Sequence, residues 1–121
     1  MADKIRVQID ECHYITVAIY KTTNGLRKSS TIDSGFDGLW QLSGYHIRNY
    51  KPVIEKEFGV ISLSLDTITG GIFAHELTHF LIDWVRLNRI DIETCNEIMA
   101  NLIGQMTEDF WTIFHSKYKR G

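Results

Sequence analysis

The sequence predicts an α+β domain, with strands gathered in its first half and two helices closing the chain. Three observations carry this. Apolar residues alternate with polar ones in short early segments, the period-two pattern of half-buried strands. From Thr69 onward the apolar residues recur at helical spacing instead. Glycine and asparagine punctuate the first half, and Pro52 is the single proline of the chain.

In chain order, Lys4 to Asp10 places Ile5, Val7 and Ile9 on one side of a strand. Tyr14 to Tyr20 is rich in β-branched and aromatic residues and reads as a more central strand. Asn24-Gly25 suits a tight hairpin, with Leu26 to Ile32 as the returning strand. Between Asp33 and Tyr50 the pattern weakens, and Trp40, Leu42, Tyr45 and Ile47 fit a short helix or a packed loop. Pro52 suits the first turn of a short helix running to about Phe58. Val60 to Leu65 alternates again. A helix from about Thr69, its N-cap, to Asn88 is apolar nearly all round and should be buried. Asp91 caps a second helix to about Ser116, whose stripe runs from Ile92 through Met99 and Met106 to Phe114. The first strands are expected to pair antiparallel.

The chain has 121 residues, the material of a single domain spanning residues 1–121. A net charge of −2 gives no reason to expect a nucleic-acid partner, and the basic end Lys117 to Arg120 reads as solvated. No apolar run reaches the roughly 20 residues that cross a bilayer, and the N-terminus lacks a signal-peptide core. The expectation is a cytoplasmic protein without a membrane partner. Cys12 and Cys95 form no CxxC pair and read as free thiols.

The chemistry concentrates in Ala74-His75-Glu76-Leu77-Thr78-His79. Residues four apart on a helix lie about 6 Å along the axis and about 40° round it. His75 and His79 can therefore reach one metal ion from the same side. Glu76 is placed to touch a metal-bound water as general base without competing as a ligand. The competing explanation is a satisfied histidine pair in the core, but polar groups on so apolar a helix are costly unless paired or bound. A catalytic zinc site ordinarily has three protein ligands. The next helix offers Glu93 and Glu97. Glu97 is preferred because Ala100 and Gly104 on its face are small enough to admit a neighbouring helix. Glu93 lies in the first turn, where a carboxylate also complements the helix dipole.

HELTH, followed by Asn96-Glu97-Ile98-Met99-Ala100-Asn101, resembles the gluzincin zinc metallopeptidases, the thermolysin-like clan. The resemblance covers about Val60 to Gly104. It implies a small zincin-like domain that binds one zinc ion and hydrolyses peptide bonds in a peptide or protein substrate. His75, His79 and Glu97 would be the ligands and Glu76 the base. Asn101 stands where the clan has a second-shell Asp, and it can accept a bond from a ligand imidazole without supplying a negative charge. Asp83, one turn beyond His79, is an alternative orienter. The strand before the HExxH helix resembles the edge strand with which such enzymes hold an extended peptide. Nothing maps onto the clan's second domain and its oxyanion-stabilising residue; Tyr45, His46, His115 and Tyr118 are open candidates. Substrate-binding residues, specificity and oligomeric state are not legible. Two rival readings stand beside this one: a catalytically silent zinc domain that binds a peptide partner at its edge strand, and a structural domain without metal.

Overall fold

The computed structural model describes residues 2–29, 37–43 and 56–118. Seven elements follow one another: β1 (Asp3–Gln8), β2 (His13–Tyr20), α1 (Thr23–Ser29), β3 (Gly38–Leu42), β4 (Lys56–Ser64), α2 (Gly70–Asn88) and α3 (Ile92–Lys117). The strands form one sheet in the order β1-β2-β4-β3. This is an α+β fold built on a mixed sheet.

β1 and β2 pair antiparallel with Ile5 opposite Val17 and Val7 opposite Ile15. β2 then runs parallel to β4, with Val17 opposite Ile61 and Ile19 opposite Leu63. β3 closes the other edge antiparallel to β4, with Trp40 opposite Ile61. Ile5, Val7, Ile15, Val17, Ile19, Ile61 and Leu63 are all fully buried and share the face covered by the helices. α2 packs across β3 and β4, and α3 across β1. Phe73 of α2 stacks on Phe110 of α3, ring centroids 4.2 Å apart, and both rings are wholly excluded from solvent.

Four expectations are corrected. Asn24-Gly25 makes no hairpin: Thr23–Ser29 is helical, and Arg89 alone among the described residues has a positive φ. Thr22 starts this helix, its hydroxyl accepting from the Gly25 N–H (3.0 Å) and its carbonyl from the Leu26 N–H (3.1 Å). Leu26 is thereby buried, which a solvent-facing hairpin would not achieve. Trp40 and Leu42 lie in strand β3, not in a short helix or loop; Tyr45, Ile47 and Pro52 fall outside the described residues. The stretch from Lys56 to Phe58 is strand, so no helix reaches Phe58. Finally, β4 is not an edge strand. It is hydrogen-bonded on both sides, and its near-continuous burial from Phe58 to Ser64 is that of a central strand. The edge beside α2 is β3.

The two long helices begin where the sequence indicates. The Thr69 hydroxyl accepts from the Ile72 N–H at 3.1 Å, and the Asp91 carboxylate from the Glu93 N–H at 3.1 Å. α2 stops because Arg89 turns left-handed (φ 54°, ψ 45°). Its N–H and that of Ile90 then close on the carbonyls of Arg86 and Val85, a Schellman arrangement. Cys95 interrupts α3 with non-helical angles (φ −112°, ψ 17°), a kink one turn from its start. Among the described residues no helix is long and apolar enough to cross a membrane.

Candidate metal centre

α2 lays Phe73, Leu77, Phe80 and Trp84 into the core. His75 and His79 fall on the border of that face, with both imidazoles reaching solvent and ring centroids 5.0 Å apart. Glu76 falls inside it and is buried. One donor atom from each of His75, Glu76 and His79 lies within 4.8 Å of the others, the one such grouping of metal-ligating side chains among the described residues. Two donors in a tetrahedral zinc shell stand about 3.3 Å apart, as ligand bonds of about 2.0–2.1 Å require. Exposed imidazoles reach that spacing by small rotations, so these residues fit a metal ion.

Burial holds the Glu76 carboxyl above its ordinary range; His75, His79 and the Trp40 backbone N–H oppose the shift without cancelling it. The nearer imidazole nitrogen, His75 Nε2, stands 3.8 Å from Glu76 Oε2. Burial thus makes the carboxylate more basic than an exposed one, which suits an acceptor of protons near neutrality. The clefts beside it are lined by Asp37, Gly38, Ile72 and Gly71 on one side and by Leu39, Trp40 and His79 on the other.

No protein-family model, curated protein or solved structure matches this chain. The site is accordingly read from its own geometry.

That geometry does not bring every expected residue together. Glu97 and Asn101 are exposed on α3 and stand outside the group. Met99 is buried, and a residue two positions away lies about 200° round a helix, so Glu97 faces away from the core. Ala100 and Gly104 share that open face, and a Cβ on Gly104 would meet nothing within 4 Å. The small residues therefore admit no neighbouring helix here. Glu93 is exposed as well. Asp83 orients no histidine: one oxygen accepts from the Trp40 indole N–H (2.8 Å) and the other from Arg86 (2.8 Å). His115 stacks on Trp111, and the Tyr118 hydroxyl donates to Asp3 at 2.7 Å, tying α3 to the start of β1. Tyr45 and His46 fall outside the described residues.

Sequence reasoning missed Gly38, Gly59 and Trp40. A Cβ on Gly38 would stand 3.1 Å from Glu76 Cγ, so only glycine lets β3 approach the buried carboxylate without displacement. A Cβ on Gly59 would overlap the Trp40 ring. A glycine inside the β-rich stretch Lys56–Ser64 was the available signal, since such glycines mark close approach.

Proposed function

We propose that this protein is a zinc-dependent peptidase of zincin-like type, with His75 and His79 as metal ligands and Glu76 as general base. The observation that carries the reading is the convergence of two imidazoles and a buried carboxylate beside a sheet edge. A zinc ion at His75 and His79 would supply a Lewis acid that polarises a peptide carbonyl and acidifies water. Glu76 would take the proton of the attacking water on a carboxylate oxygen and deliver it to the leaving amine.

β3 is the surface that suits the peptide. The Ser43 N–H bonds the Phe58 carbonyl, which makes that pair a hydrogen-bonded one. Pairs alternate along an antiparallel ladder, so by the β3–β4 register the main-chain groups of Gly38, Trp40 and Leu42 point outward. An extended peptide pairing there would run past His75, Glu76 and His79. The edge-strand role expected of the strand before the helix thus passes to β3.

One observation favours the second reading, a catalytically silent zinc domain that binds a peptide at β3: Glu97 is exposed and stands outside the group of His75, Glu76 and His79. A cleavage assay on a broad peptide library separates the two. Under the peptidase reading, zinc-loaded wild type cleaves, and Glu76→Gln at matched zinc loading is slower by about 10² to 10⁴, the usual worth of general-base catalysis. Equal cleavage by both would refute the role of Glu76. Peptide binding without cleavage by the wild type would put the silent domain first.

A further inference from the structure

Where residues 89–91 link α2 to α3, an apolar groove of about 330 Å³ lies between the two helices. Leu81, Ile82, Val85 and Arg86 line it on the α2 side, and Ile92 and Met99 on the α3 side. Met99 is part of the core, and Leu81 and Val85 pack against it. Ile82 and Ile92 are different: each is 57% exposed at the mouth of the groove. Exposed apolar surface rimmed by charge marks a place where another chain docks.

The two walls of the groove carry opposite charge. On α2, Ile82 is followed by Arg86 one turn on and by Arg89 at the cap, all three exposed. Asp83 holds Arg86 at 2.8 Å and so fixes it on that wall. On α3, Glu93, Glu97, Ala100 and Gly104 follow one another at helical spacing, again all exposed. The first half of this row is acidic and the second half is small. A Cβ on Gly104 would meet nothing within 4 Å, so a helix from outside the chain can settle closely there. Among the described residues none of Arg89, Glu93 and Glu97 is in an ion pair. The arginines close α2 and Glu93 opens α3, so the opposite charges flank the same end of the groove.

A surface with a basic wall and an acidic wall is complementary to itself. An isologous pair brings such a surface against its own copy. With the two-fold axis running along the groove, α2 of each copy lies over α3 of the other, and Arg86 and Arg89 meet Glu93 and Glu97 twice over. With the axis across the groove, α2 would lie on α2 and arginine on arginine. The charges therefore select one arrangement. We propose that this protein pairs with a second copy of itself through the α2–α3 face, Ile82 and Ile92 of each copy filling the groove of the other. The cleft of His75, Glu76 and His79 opens toward β3, on the other flank of α2. Pairing thus needs no metal and does not rest on the peptidase reading.

Analytical ultracentrifugation of the full chain tests the proposal. Wild type should pass from one chain mass to two as its concentration rises. Ile82→Glu, a change at an exposed position, should raise the dissociation constant at least tenfold. Glu93→Arg with Glu97→Arg makes both walls basic, and Arg86→Glu with Arg89→Glu makes both acidic. Each of these variants alone should stay monomeric while its helical circular dichroism matches wild type. An equimolar mixture of the two should dimerise, because every arginine then faces a glutamate. Wild type that stays monomeric at every concentration overturns the proposal and leaves the groove to a different partner. A dimer that persists in each charge variant unmixed, or folded variants that fail to pair on mixing, overturns it as well.

Discussion

Glu76 is where stability and chemistry pull apart. A buried carboxyl whose ionisation is opposed by desolvation stabilises the fold only while it stays protonated. Its pKa is raised on folding, so below the ordinary value of 4.5 both states hold the proton and nothing is lost. As pH rises from there through the folded-state pKa, the unfolded chain releases its proton more readily and stability falls. Glu76→Gln should therefore make the metal-free protein more stable than wild type near neutral pH and leave the two alike below about pH 4, as urea unfolding at both pH values will show. A variant less stable at neutral pH would mean that the carboxylate is better satisfied than its burial indicates. His75, Glu76 and His79 were legible in the sequence because one helical turn relates them, and local spacing suffices. Trp40, Gly38 and Gly59 were not, because their roles arise from a close approach between segments far apart in the chain.

At the scale of elements, capping made both long helices readable. Thr69 and Asp91 mark their starts, and apolar spacing carries each helix onward. The end of α2 is less well made. Arg89 occupies a left-handed conformation that costs a side-chain-bearing residue about 1 kcal/mol relative to glycine. Arg89→Gly should stabilise the protein by up to that amount in a denaturant titration, and a destabilised variant would show that the Arg89 side chain makes a contact of greater worth. α1 was misread because Asn-Gly is a strong local hairpin signal, overridden here by a capping Thr22 and the burial of Leu26. The third ligand shows the same limit. Helical spacing put Glu97 on the face of Ala100 and Gly104, but which face turns toward α2 is set by Met99 and Met106 in the core. In this geometry Glu97→Ala binds zinc as tightly as wild type in a competitive chelator titration. A loss of tenfold or more would restore Glu97 as a ligand.

For the whole molecule, the α+β class and a central strand at Tyr14 to Tyr20 were legible, whereas the parallel pairing of β2 with β4 was not. Alternation tells which side of a strand is buried and is silent on the direction of its neighbour. Among the described residues β4 lies inside the sheet and β3 at its edge, and that order is what sets an edge strand beside the histidines. α3 spans the other half of the sheet and is tied to β1 through Tyr118, whose phenol is held up to about 12 by burial and by its bond to Asp3. α2 does two things at once: it lays Phe73, Leu77, Phe80 and Trp84 into the core and, beside β3, presents the candidate site. The peptidase reading requires a metal ion at His75 and His79. Equilibrium dialysis against zinc, followed by elemental analysis of wild type, His75→Ala and His79→Ala, tests it most directly. One zinc per chain in the wild type and less than a tenth of that in either variant is the predicted result. Equal zinc in all three proteins, or none in the wild type, would contradict it.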